Sequence, residues 1–121
     1  MRALIVDDDE DTRDLMVAVL EMHGAVVSVA IGGAHALAVF DLLGPHILLT
    51  DLAMPGMDGL ALVRELRRRG DLATALVLIS GHSGSSDVRR ALASGFDAHL
   101  TKPVEVPALV ALVRELTTSH R

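Results

Sequence analysis

Ile47-Leu48-Leu49-Thr50-Asp51-Leu52-Ala53-Met54-Pro55-Gly56-Met57-Asp58-Gly59 begins as a short apolar run and then breaks into a proline- and glycine-containing stretch that cannot continue a buried strand. A single carboxylate, Asp51, stands where the strand surfaces into a loop. In an open parallel sheet, ligands and reacting groups collect in the crevice beyond the carboxyl ends of the strands. An isolated Asp in such a place would merely end a strand, so the other strand ends decide its meaning.

On the amino-terminal side, Arg2-Ala3-Leu4-Ile5-Val6 is a continuous apolar run, suited to a strand buried on both faces, and it ends in Asp7, Asp8, Asp9, Glu10 and Asp11. Leu15, Val19 and Met22 at helical spacing predict a helix with an apolar stripe, stopped by Gly24. Val26 to Ala30 reads as a second strand. Ala34, Leu37, Ala38 and Asp41 read as a second helix that ends near Gly44-Pro45.

On the carboxyl-terminal side, Leu62, Val63 and Leu66 mark a third helix, with Arg64, Arg67 and Arg68 facing water and Gly70 as its stop. The run Arg67-Arg68-Arg69 suits a solvated helix end. Ala75 to Ser80 is a fourth strand. Asp87 is positioned to cap a fourth helix containing Val88, Ala91 and Leu92, and a fifth strand runs from Asp97 to Thr101. Leu109, Leu112, Val113 and Leu116 form a closing helix with Pro107 in its first turn. Strands alternating with helices over short links predict right-handed crossovers, a parallel sheet and helices on both faces.

The 121 residues fit one domain, 1–121, with no linker or repeat. No apolar run reaches the ~18 residues of a membrane span, and no basic-then-apolar leader opens the chain, so the expected location is the cytoplasm with no membrane contact. The absence of cysteine excludes disulfides and thiolate metal sites. A net charge of -5 argues against direct nucleic-acid binding, and two Phe with no Tyr or Trp leave no platform for stacking bases. Ten of the 11 basic residues are Arg; the single lysine is Lys102.

Parallel strands bring Asp7, Asp8, Asp51, Ser80 and Lys102 to one sheet edge. Carboxylates gathered there would repel unless a cation joined them. An all-oxygen ligand set selects hard divalent ions, and a shallow site that leaves room for water and phosphoryl oxygens suits Mg²⁺, with Mn²⁺ as an alternative. Lys102 offers a compact ammonium where the rigid fork of Arg would fit poorly. Asp9, Glu10 and Asp11 suit a helix start, with Asp9 as the cap.

Val-Asp-Asp-Asp at 6–9, Thr-Asp-Leu-Ala-Met-Pro-Gly-Met-Asp-Gly at 50–59, Leu-Ile-Ser-Gly at 78–81 and Thr-Lys-Pro at 101–103 together resemble the receiver domain of bacterial two-component response regulators, across essentially the whole chain. The resemblance implies an α/β, flavodoxin-like (βα)5 sandwich with strand order 2-1-3-4-5, the order shared by flavodoxin and the chemotaxis receiver. It also implies roles. Asp51 accepts a phosphoryl group from a sensor histidine kinase or phosphotransfer domain; Asp8, Asp51 and the backbone carbonyl of Ala53 bind Mg²⁺, with Asp7 acting through water. Lys102 contacts the phosphoryl group, Ser80 turns toward it, and the surface of helix four, strand five and helix five passes the change to an unidentified effector. On this view the domain is not a turnover enzyme, although it catalyses its own phosphorylation and dephosphorylation, and it is a monomer or weak homodimer.

The pattern departs from the family in three places. His99 stands where Tyr or Phe is usual, and is either a smaller rotating switch or a solvent-exposed edge residue. Ala53 and His82 occupy positions that tune access of water, and His82 either orients water or is a plain loop residue. A haloacid-dehalogenase-like phosphohydrolase also uses a strand-end Asp with Mg²⁺, but its second Asp is Ala53 here. A flavin module would need a glycine- and hydroxyl-rich phosphate loop after strand one, which the acidic run replaces. A phosphate-independent interaction domain fits poorly with an intact Asp51, Lys102 and acidic pair.

Overall fold

The computed structural model describes residues 1–52, 56–71, 73–81 and 85–119. Five strands, β1 (Arg2–Val6), β2 (Val26–Ala30), β3 (Ile47–Asp51), β4 (Ala75–Ser80) and β5 (Ala98–Thr101), alternate with five helices, α1 (Glu10–Met22), α2 (Gly33–Leu43), α3 (Gly59–Arg68), α4 (Ser85–Ala93) and α5 (Val106–Ser119). All strands are parallel, in the order β2-β1-β3-β4-β5. The sheet and its order are those expected from the sequence.

Two cores explain why the central strands read as unbroken apolar runs. Ala3, Ile5, Ile47, Leu49, Val77 and Ile79 face α1 and α5, whereas Leu4, Val6, Leu48, Leu76 and Leu78 face α2, α3 and α4. Successive side chains alternate across a strand, so a strand covered on both faces needs apolar residues at every position.

The helices exist where the periodicity places them, but some faces differ. On α1 the buried row is Met16, Val19 and Leu20, while Leu15 is part exposed and Met22 is 83% exposed. On α2 the buried residues are Gly33 and Ala36, backed by Leu37, Val39, Phe40 and Leu43; Ala34 and Ala38 face outward. Both helices are apolar around much of their circumference, so spacing alone does not select the inward row. The fourth helix begins at Ser85, which places Asp87 inside its first turn rather than at the cap. The fifth strand starts at Ala98, because Asp97 turns its carboxylate to the Leu76 N–H at 2.8 Å.

Arg67 departs most from expectation. It does not face water: its guanidinium donates to Gly95 O at 2.7 and 3.0 Å and to Asp71 O at 2.8 Å, and it pairs with Asp97 at 3.1 Å. This single side chain ties α3 to the turn between α4 and β5 at the amino-terminal end of the sheet.

Candidate functional site

The register of the sheet builds the site. Val6 pairs with Thr50, so the next position along sets Asp7 beside Asp51. Asp51 pairs with Ile79, and Ser80 with Thr101, so Lys102 follows one step beyond at the same end of the sheet. The Lys102 backbone N–H donates to Ser80 O at 2.9 Å, joining the ends of β4 and β5.

Lys102 Nζ lies 3.1 Å from Asp51 Oδ2, 3.2 Å from Asp7 Oδ2 and 3.9 Å from Asp9 Oδ2. One ammonium therefore answers three carboxylates, as a compact point charge can and a planar fork cannot. Asp7 is fully buried, and its Oδ1 accepts the Asp9 N–H at 2.8 Å. Among the described residues its Oδ2 makes only the charge contact to Lys102, without hydrogen-bond geometry. Arg13 adds a second cation nearby, donating to Asp7 O at 3.3 Å.

Burial pushes the Asp7 carboxyl above its ordinary value, and the Asp9 N–H and the Lys102 charge only partly offset that rise. Burial likewise acts to lower the Lys102 ammonium, but the carboxylates of Asp51 and Asp7 together outweigh it and leave it above its ordinary value. Asp9 stands at the N-cap of α1, and its carboxylate is held below the usual range chiefly by the Thr12 hydroxyl at 2.5 Å.

Asp7, Asp8 and Asp51 each offer an oxygen, all within 4.8 Å of one another, with Asp8 exposed and Asp51 half-buried. Three hard oxygen donors at that spacing, one carrying a buried unbonded lone pair, fit an octahedral divalent ion that keeps several waters. Among the expected site residues, Asp7, Asp8, Asp51 and Lys102 thus come together. Ser80 is buried at the adjacent strand end. Ala53 and His82 lie outside the described residues.

His99 stands apart from the carboxylates. It alternates with Ala98 and Leu100, which pack toward α1 and α5, so its ring is on the α4 side of β5. It is half-buried rather than solvent-exposed, its Nε2 has no hydrogen-bond partner among the described residues, and burial lowers its pKa.

Two further residues shape the site, although the sequence motifs alone do not single them out. Asp58 caps α3 by accepting the Ala61 N–H at 2.8 Å, which fixes where that helix starts. Gly59, the first helical residue, donates its N–H to Leu52 O at 2.9 Å. A Cβ there would collide with the backbone oxygen of Asp51. Its signal is the Asp58-Gly59 pair, an N-cap followed by a residue that permits close backbone approach.

Residues 3–114 match the family described as the response regulator receiver domain. An uncharacterized 14.6 kDa protein of Leptolyngbya boryana is 41% identical over 117 residues, covering 95% of this chain and 88% of that protein. The transcriptional regulatory protein TrcR of Mycobacterium tuberculosis is 35% identical over 116 residues, which cover 96% of this chain but 45% of the regulator. The chain therefore spans about half the length of such regulators. Among solved structures, the receiver domain of the Francisella response regulator 1452 superposes with a TM-score of 0.92 at 27% identity, covering 99% of this chain and 98% of that one.

Proposed function

Because this chain belongs to the receiver domains of two-component response regulators, we propose that Asp51 is the residue on which it accepts a phosphoryl group, donated by the phosphohistidine of a sensor kinase or phosphotransfer domain. The observation that carries this is the Asp51 carboxylate, 3.1 Å from the only lysine and grouped with Asp7 and Asp8. An Asp51 oxygen attacks phosphorus as the N–P bond to the donor breaks, leaving an aspartyl phosphate. Phosphoryl transfer asks mainly for positioning and charge neutralisation, which the strand ends supply.

Asp8 and Asp51, with Asp7 behind them and the Ala53 carbonyl as a further donor, are the residues that would hold Mg²⁺. When bound, the ion neutralises developing charge on the phosphoryl oxygens. Lys102 moves from bridging carboxylates to contacting the phosphoryl group, and the Ser80 hydroxyl turns toward it. Added negative charge at Asp51 then biases α4, β5 and α5, with His99 on the α4 side, toward a second arrangement read by an effector. A net charge of -5 favours protein partners over direct contact with nucleic acid. The 121 residues act as one receiver unit, and the absence of a second Asp at Ala53 disfavours turnover as a phosphohydrolase.

Incubation with Mg²⁺ and acetyl phosphate, followed by intact mass measurement, tests this. The expected product is an acid-stable, base-labile phosphoryl adduct on the wild type and none on Asp51→Asn. An unmodified wild type, or an adduct that survives Asp51→Asn, would refute the assignment.

A further inference from the structure

The sheet has two open edges, and they are built differently. At β5 the edge carries His99 and is bracketed by Asp97 and Lys102. At β2 there is no charge at all: from Met22 to Phe40 the chain contains no Asp, Glu, Lys or Arg. Open edges expose unpaired N–H and C=O groups, and soluble proteins blunt them with charge, proline or a bulge. The β2 edge has none of these, and its register with β1 is unbroken from Val26 to Ala30.

Apolar side chains collect at the same edge. Among the described residues, nine large apolar side chains are substantially exposed, and six of them, Leu15, Met22, Val26, Val29, Ile31 and Leu42, lie on α1, on or next to β2, and on α2. On α1, Leu20 lies toward α5, lining a cleft with Val110 and Val113. Leu15 and Met22, seven residues apart, occupy the opposite flank, beside β2. On α2, Asp41 reaches Arg69 of α3, so Leu42, turned about a further 100° around the helix, points away from α3.

We propose that the β2 edge is a self-association surface. Two copies would pair β2 antiparallel about a twofold axis normal to the sheet, joining the two sheets into one with α1 beside α1 and α2 beside α2. Charge selects a second copy as the occupant. With a net charge of -5, two copies repel across most of their surfaces, whereas the stretch from Met22 to Phe40 brings no like charges together; on α1, Asp11 shares the flank of Leu15 and Met22 and keeps the contact weak. A twofold contact needs a self-complementary patch. Antiparallel pairing centred on Ser28 supplies one, with Ser28 opposite the partner's Ser28 and Val27 opposite the partner's Val29.

The dimensions agree. Both α1 and α2 lie over β1 and β2. With strands ~4.8 Å apart, like helices would then be about 10 Å apart across the axis, the usual packing distance for two helices. An edge roughly 17 Å long and about 30 Å across three layers gives ~500 Å² per copy and ~1,000 Å² in total, the lower bound of a specific interface. A weak, concentration-dependent dimer is the expected result, and it needs no phosphoryl group, so its test is independent of the Asp51 reading.

The chain has no cysteine, which makes crosslinking diagnostic. Opposed residues of an antiparallel pair have Cα atoms about 4.5–5.5 Å apart, within the reach of a disulfide. Under mild oxidation Ser28→Cys is expected to form a covalent dimer, and Ala111→Cys on exposed α5 is not. In sedimentation velocity without phosphodonor, the unmodified chain is expected to dimerise with rising concentration. Ile31→Lys should weaken that at least about tenfold with an unchanged circular dichroism spectrum. Ser28→Cys that stays monomeric, equal crosslinking at Ala111→Cys, or a dimer indifferent to Ile31→Lys overturns the proposal. A chain that is monomeric at every concentration also overturns it and leaves the edge to a strand of another protein.

Discussion

The two ends of the sheet each hold a cation among carboxylates, and they use it in opposite ways. At the amino-terminal end, Arg67 donates with its fork to the carbonyls of Gly95 and Asp71 and to the Asp97 carboxylate, and reaches Asp71 Oδ2 only as a 4.0 Å charge contact. At the carboxyl-terminal end, Lys102 touches Asp7, Asp9 and Asp51 with one nitrogen and leaves the Asp7 Oδ2 without a hydrogen bond among the described residues. The first arrangement closes structure; the second keeps like charges together while leaving Asp51 approachable. Arg suits the first and Lys the second, because one is a rigid array of donors and the other a mobile point charge.

Exchanging the second cation should have the largest effect. Lys102→Arg is expected to slow acetyl phosphate labelling of Asp51 by about 10²-fold, the scale on which a misplaced transition-state donor acts, while the melting temperature changes little. Normal labelling by that variant would remove the distinction drawn between the two ends. Arg67→Ala should do the reverse. It strands partly buried carbonyls at Gly95 and Asp71 and should cost about 1–3 kcal/mol in denaturant unfolding, with labelling intact.

The smallest effect is expected to be a gain. The folded-state pKa of Asp7 is raised above 3.8 by burial, so between the ordinary and the raised value folding favours the protonated carboxyl. Stability associated with Asp7 is thus full below about pH 3.8 and is lost as pH rises through the raised value. Asp7→Asn should therefore stabilise the protein at pH 7 by about 0.5–2 kcal/mol, and the gain should shrink toward pH 3, while Mg²⁺-dependent labelling falls. An Asp7→Asn protein less stable than wild type at pH 7 would mean that the contact to Lys102 outweighs the burial.

Which parts of this are legible in the sequence follows from how local each signal is. The runs at β3 and β4 and the row Leu109, Leu112, Val113 and Leu116 have one reading each, and the structure keeps them. In α1, apolar residues occupy two adjacent rows, and only the sheet beneath decides that Met16 and Leu20 turn inward while Met22 does not. Arg67 reads like Arg68 and Arg69 because its partner, Gly95 O, is 28 residues away and leaves no local trace. Asp7, Asp51 and Lys102 are recoverable because each ends a strand, and a parallel sheet collects its strand ends on one side. The contact of Gly59 with the Asp51 backbone needs coordinates, although the residue itself stands in the quoted motif.

The contact that the strand registers set up between Lys102 and Asp7 spans a chain separation of 95 residues. Contacts this distant in sequence carry the largest loop-closure cost. A chain with β5 still undocked has Asp51 but not the ammonium that steadies it. Phosphoryl acceptance would then report that the sheet is complete, and nascent or partly unfolded copies would stay silent to the signal.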